Sequence, residues 1–274
     1  MASVQQSLEL VPAEPFFARP VLHFRRVVTR TALIAGVLGA WEVLPRLHLV
    51  DATFLPPFSA VLAAAFELWR SGQLQQHIAA SLGRSAAGFL LSIVYAVPLG
   101  LALGWSKRLA DVVSPLLELL RNTAALALLP VFILFLGIGE ASKIALVVYA
   151  ASWPILLNTI TGVKGVDPLL VKSARSLGAS PFTLFYKVIL PAAVPTIFVG
   201  IRLAGAYSLV VLVAAEMIGA KAGLGYLVIY SQYNFQIPQM YAGILTLMLA
   251  GILYNQLLLA LERRFTSWKP GSGA

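Results

Sequence analysis

Long runs without a single charge constrain this chain more than any other feature. Residues 85–105, 144–163 and 222–261 contain no Asp, Glu, Lys or Arg. A helix needs about 20 apolar residues to cross some 30 Å of hydrocarbon, so a chain built from such runs crosses a membrane repeatedly. Of the 274 residues, 59% are hydrophobic and only 11% charged. Soluble proteins carry roughly 25% charge, and so few charges cannot cover the surface left once a core is filled. A water-soluble enzyme is thereby excluded. There is no cysteine, and the three histidines (His23, His48, His77) are scattered, which leaves nothing for disulfides, thiolate chemistry or a metal cage. The formal charge of +9 sits in short basic clusters between apolar runs, the pattern of membrane topology rather than of nucleic-acid binding.

The runs predict an all-α membrane protein with six transmembrane helices, at about 31–49, 85–105, 112–139, 144–163, 191–215 and 240–261. Before the first lies a segment, 1–28, whose basic residues Arg19, Arg25 and Arg26, with Arg30, are too polar and too late for a signal peptide. The domain layout is then a cytoplasmic segment 1–28, a first helix 29–50, an external interfacial segment 51–77, a five-helix core 78–262 and a cytoplasmic tail 263–274. Within 51–77, Ser59 is read as the cap of an amphipathic interfacial helix. Residues 222–239 are uncharged but rich in Tyr, Gln, Ser and Asn, which suits a short interfacial or re-entrant helix packed on protein. With the N-terminus inside, the cytoplasmic side holds 13 of the 20 Lys and Arg, and the other side holds Arg46, Arg70, Arg84, Lys143 and Lys221. Both termini are therefore expected in the cytoplasm.

Between the fourth and fifth spans, residues 167–190 carry helix punctuation twice. Asp167 suits an N-cap, Pro168 a first helical position and Gly178 a left-handed helix end; Ser180-Pro181 then repeats the start signal. The spacing places Leu170, Ala174 and Leu177 on one face. Such a pair is either a connecting loop on the membrane surface or a rigid apolar end that docks into a partner's groove.

Lys172-Ser173-Ala174, Gly178 and, ten residues on, Val188-Ile189-Leu190-Pro191 resemble the E-A-A, G, I-x-L-P signature of the membrane subunits of bacterial ABC importers. Residues 132–143, 174–180, 214–218 and 261–264 resemble the nitrate/sulfonate/taurine/bicarbonate permease branch. Lys172 stands where that signature has glutamate and Ser173 where it has its first alanine. Arg121-Asn122-Thr123-Ala124-Ala125 replaces a proline-rich opening of the third span, so a different local kink is expected there. The resemblance implies a type I importer permease in a bacterial inner membrane, paired with a second copy of itself, with two cytoplasmic ATPase subunits and a periplasmic substrate-binding protein. Coupling to the ATPase would run through Asp167, Lys172, Ser173, Ala174, Arg175, Ser176, Leu177 and Gly178. No G-x-x-x-x-G-K-[ST] phosphate loop occurs in the chain, so ATP and Mg belong to the partner. No catalytic set and no cofactor or metal site is expected on this chain, and its remaining partner is membrane lipid.

The pathway candidates are Arg121, Asn122, Pro130, Asn158, Arg202 and Glu216. An arginine within a span costs roughly 2.5–3.5 kcal/mol on insertion scales and faces protein or water. Arg121 either snorkels to the interface and pairs with Glu118, or attracts an anion in a cavity. The third span, 28 residues and about 42 Å long, exceeds the hydrocarbon core and requires tilt or a break near Pro130, which puts Arg121 a turn or two inside the cytoplasmic face. Arg202 reads as a structural contact, and Glu216 either shapes the external mouth or caps its helix at the water interface. The function expected is translocation of a small anion, taurine or another alkanesulfonate ahead of nitrate, bicarbonate or a pyrimidine precursor. A gradient-driven transporter or channel, and a membrane scaffold, are alternatives from other classes; the first leaves the helix pair unexplained.

Overall fold

A computed structural model describes residues 18–265, with side chains for 31–264. The predicted N-terminal segment up to residue 17 and the tail beyond 265, Lys269 included, lie outside the described residues. The chain divides into two compact units, residues 1–62 and 63–274.

In the first unit, α1 (Ala18–Arg46) ends in turns before α2 (Phe58–Arg70). Ser59 is not the cap of α2: its backbone N–H donates to Glu42 Oε2 at 2.9 Å and its hydroxyl to Oε1 at 2.9 Å. A carboxylate thus satisfies an orphan amide of the first turn, where the helix dipole also favours negative charge. Trp41 Nε1 donates to the Pro56 carbonyl at 3.0 Å, and its ring lies 5.4 Å from Phe58.

The second unit is a bundle of long helices: α3 (Gln73–Trp105), α6 (Glu140–Lys164), α9 (Leu190–Glu216) and α11 (Ile237–Phe265). Between them lie α4 (Lys107–Arg121), α5 (Leu129–Leu136), α7 (Pro168–Ser176), α8 (Pro181–Leu184) and α10 (Leu224–Tyr233). Close packing of α3 on α6 follows from small residues. Gly88, Gly100 and Gly104 back onto Val147, Thr159 and Val163, at the same sequence separation each time, so the two helices run parallel. A Cβ on Gly100 would sit 2.7 Å from the Thr159 Cβ. Small residues at four-residue spacing let helix backbones approach where lipid offers no hydrophobic drive to association. Gly162 and Gly200 do the same for α6 against an antiparallel α9, and Gly205 lets α11 close on α9 through Leu258. Phe89, Ala96, Leu103, Ala151, Ile155, Ala204 and Leu258 form the shared core.

Among the described residues, four helical stretches are long and apolar enough to cross a membrane: 73–105, 140–164, 181–216 and 237–264. The third predicted span is not one straight helix. Residues 107–121 and 125–136 meet at an angle of 86°. The break falls at 122–124, ahead of a 3₁₀ turn at Ala125–Leu128, and not at Pro130, which occupies the first turn of α5 where its missing N–H leaves no bond unmade. The half before the break is amphipathic: Lys107, Arg108, Asp111 and Glu118 are exposed, while Val113 and Leu117 pack on the core. The second span begins at Gln73 rather than Ser85, and so takes in Arg84. α10 is a short helix with Leu224, Gly225, Leu227 and Ser231 buried.

Candidate functional site

Three assemblies carry the chemistry, one at each end of the bundle and one between.

The first is the connection from α6 to α9. Asp167 accepts from Leu169 N at 2.8 Å, and Pro168 opens α7. At the far end Gly178 has φ +77°, with Gly178 N donating to Arg175 O at 3.0 Å and Ala179 N to Ala174 O at 3.1 Å. Those two bonds close the helix as a Schellman motif, which glycine permits without steric cost. Ser180 then accepts from Thr183 N at 3.2 Å to start α8. From Phe185 to Ile189 the helix widens to a π turn, with Leu190 N donating to Phe185 O, and continues as α9. Pro191 and its clash with the preceding turn account for the widening. The predicted common face of Leu170, Ala174 and Leu177 divides. Ala174 turns inward with Val171 against Val163, Leu184 and Ile189, whereas Leu169, Leu170 and Leu177 are 68%, 53% and 88% exposed. A nine-residue helix cannot keep both a core-facing seam and three leucines on one side. The leucines leave apolar side chains exposed at both ends of α7, beside exposed Lys172 and Arg175.

The second assembly is a cavity of about 330 Å³ at the break between α4 and α5. Arg121, Asn122 and Thr123 line it, facing Tyr149, Trp153, Pro154 and Leu157 of α6 and Tyr207 of α9. Tyr149 donates its hydroxyl to the Leu120 carbonyl, which also accepts from Thr123 N at 3.0 Å, and so ties the break to α6. Residues 149–157 are the middle of α6. Arg121 is therefore level with mid-helix and not a turn or two from one end, because α4 begins at Lys107 and Arg121 is the last of its 15 residues. Its link to Glu118 is loose, at 3.9 Å between exposed groups.

The third assembly lies at the end of the bundle that carries α10. Glu216 is fully buried, and neither shapes a mouth nor caps α9 against water. Its carboxylate accepts from Ser81 Oγ at 2.7 Å, Arg84 Nη1 at 2.7 Å and Gly225 N at 3.0 Å. Arg84 also donates to Glu140 through Nε and through Nη2, the latter at 2.7 Å, and to the Ala222 carbonyl at 2.6 Å. Ser81 accepts from Leu224 N and His77 Nδ1 from Gly223 N. Lys143 Nζ donates to the Gly139 and Gly219 carbonyls at 3.1 and 3.3 Å. Two cations and two carboxylates thus balance, and α3, α6, α9 and the loop to α10 are bound together. Arg84 and Lys143, counted above as charges on one side of a membrane, are buried inside protein. His77, Ser81 and Arg84 lie at four- and three-residue steps on one face of α3, a spacing visible in the sequence but masked by a search for uncharged runs.

Of the pathway candidates the structure brings together Arg121 and Asn122. Pro130 is exposed in α5. Asn158 donates to the Pro154 carbonyl at 2.8 Å and packs on Gly200, away from the cavity. Arg202 pairs with Glu262 of α11 at 3.0 Å, the structural contact expected. Tyr149, Trp153 and Tyr207 were not anticipated, since lone aromatics within apolar runs read as ordinary span residues. No group of three or more potential metal ligands occurs among the described residues.

Residues 96–267 match the family described as binding-protein-dependent transport system inner membrane component. The chain is 37% identical over 237 residues to a Bacillus subtilis (strain 168) permease protein named SsuC, for aliphatic sulfonates transport, covering 86% of each chain. It is 34% identical over 249 residues to the taurine transport system permease protein TauC of Escherichia coli (strain K12), covering 89% of this chain and 90% of TauC. Among solved structures it resembles a chain of the MetNI methionine ABC transporter in an inward facing conformation, with a TM-score of 0.63, 20% identity, and coverage of 71% of this chain and 96% of that one.

Proposed function

As a member of the family of binding-protein-dependent transport system inner membrane components, this chain is the multi-pass permease subunit of an ABC importer, and we propose that its solute is an alkanesulfonate or taurine. ATP hydrolysis resides on separate ATPase subunits, and a substrate-binding protein delivers the solute. In the arrangement proposed, two copies of the chain pair, each resting its α7 tip on one ATPase, with both termini in the cytoplasm. Closure of the ATPases draws the α7 tips together, turns the bundles and opens the path outward; hydrolysis reverses the motion. The path passes the break at Arg121 and Asn122, and the long helices act as levers.

The observation that carries this reading is the construction of α7. A helix capped by Asp167, closed by a Schellman turn at Gly178 and presenting Leu169, Leu170 and Leu177 is fixed at both ends and apolar on its exposed side. Exposed apolar side chains on a fixed short helix fit a protein groove. Sulfonate as the solute is supported by the relatives' names and by the lone arginine in the cavity.

The test is reconstitution with the partner ATPase and binding protein in vesicles. Labelled taurine or ethanesulfonate should accumulate only when ATP is on the ATPase side. Gly178→Val places a β-branched residue at φ +77°, a conformation costing on the order of 1–2 kcal/mol. ATP-coupled uptake should fall while assembly persists. Uptake that survives inactivation of the ATPase but collapses with a protonophore would replace this reading with a gradient-driven carrier.

A further inference from the structure

The cavity at the break in the third span has features that passage alone does not require. Arg121 supplies the one formal charge among its lining residues, and Glu118, 3.9 Å away, is 70% exposed. Trp153 lines the cavity with its ring, its indole Nε1 being buried away from the open space. Asn122 and Thr123 add an amide and a hydroxyl on the same side. The opposite wall is aromatic. Tyr149, its hydroxyl committed to Leu120, is held edge-on to Trp153 at 5.6 Å, and Tyr207 completes the wall from α9. At about 330 Å³ the space lies at the small end of the range for small-molecule pockets.

We propose that this cavity is a solute-selecting site within the permease itself, taking an organic monoanion with a short aliphatic tail. Arg121, Asn122 and Thr123 hold the anionic head; Tyr149, Trp153 and Tyr207 hold the tail. The proposal rests on the import reading above and narrows its solute. One cation at mid-helix depth neutralises one negative charge, and a dianion would bring an unpaired charge into low dielectric. A zwitterion would satisfy the arginine with its anionic head but bring an ammonium that meets no carboxylate among the lining residues, only ring faces. A bare inorganic monoanion would leave the aromatic wall against water. The expected order is therefore butanesulfonate, then ethanesulfonate, then taurine, with nitrate and sulfate last.

Equilibrium dialysis of radiolabelled 1-butanesulfonate against the permease–ATPase complex, without nucleotide and without binding protein, tests the site apart from delivery. Saturable binding is expected, displaced by ethanesulfonate and not by equimolar nitrate or sulfate. Arg121→Gln should weaken it by about tenfold or more, Arg121→Lys by less, since a charge-assisted fork is lost in both but the charge only in the first. Tyr207→Ala should abolish the preference for butane over ethane. Absence of saturable binding, equal competition by nitrate, or unchanged binding in Arg121→Gln would overturn the proposal. Uptake assayed on the same complex with binding protein and ATP separates the two failures: uptake without dialysis binding removes the site alone, whereas no ATP-driven uptake of any sulfonate removes the import reading itself.

Discussion

At Gly223 one added methyl group would land on the carboxylate of Glu216, and the backbone there has φ +126°. Both the close approach and the dihedral require glycine, because the Gly223 N–H must reach His77 while the chain turns tightly around a buried anion. Gly72 separates the two effects. It too is left-handed, at φ +79°, but nothing lies within 4 Å of its missing Cβ. Gly72→Ala should therefore lose only the dihedral cost, about 1–2 kcal/mol, and Gly223→Ala distinctly more. Thermal unfolding of the purified protein in one detergent checks the ranking. Equal midpoints would mean that the Glu216 loop yields at no cost.

Among the elements, the network joining α3, α6 and α9 shows what a linear reading misses. Arg84, Glu140 and Glu216 stand far apart in sequence, each at the edge of an apolar run, where charges read as loop markers. Only helix packing reveals that they meet, through the glycines that let α3 lie along α6. The caps of α7 were legible because capping is local: Asp167, Pro168 and Gly178 act within a turn of themselves. Arg121's depth was not, since the charged residues Lys107, Arg108 and Asp111 that open α4 read as a loop, and the 86° bend that follows leaves no mark in composition beyond the substitution of Arg121–Ala125 for a proline-rich opening. The network also makes an energetic prediction. Removing one partner of a buried ion pair typically costs 3–5 kcal/mol, mostly by stranding the other charge, whereas replacing both by apolar residues is often neutral. Arg84→Met should destabilise strongly, with Glu216 left fully buried, and Arg84→Met with Glu216→Leu should recover part of the loss. A double-mutant cycle on thermal midpoints decides it. Additive losses would show that each residue acts only through its own packing.

For the whole molecule the open quantities are its orientation and the transmission of force from α7. The charge count that orients the chain strengthens once Arg84 and Lys143 are known to be buried, since only loop charges bear on topology. A topology reporter belongs at the exposed turn after Asn234 rather than at Ala222, whose carbonyl holds Arg84. It should report the face opposite to one placed after Trp268, and the same face for both would end the proposed topology.

Coupling is tested by crosslinking, for which a chain with no native cysteine is a clean background. Ser176 lies exposed in the last turn of α7, its hydroxyl bonded only back to the Lys172 carbonyl at 3.1 Å, so Ser176→Cys disturbs no tertiary contact. Ser106 would make a poor control, being half-buried and the cap of α4 through its bond from Leu109 N. Arg108, exposed in the first turn of α4, is better matched and lies outside α7. If α7 seats in an ATPase groove, Ser176→Cys should crosslink to a cysteine lining that groove and change in yield on ATP binding, because closure of the ATPases and rotation of the bundles are one linked equilibrium. Arg108→Cys should crosslink weakly and without regard to nucleotide. Equal, nucleotide-independent yields at both positions would mean that α7 is merely near the ATPase, and the transmission of force would have to be sought in another element.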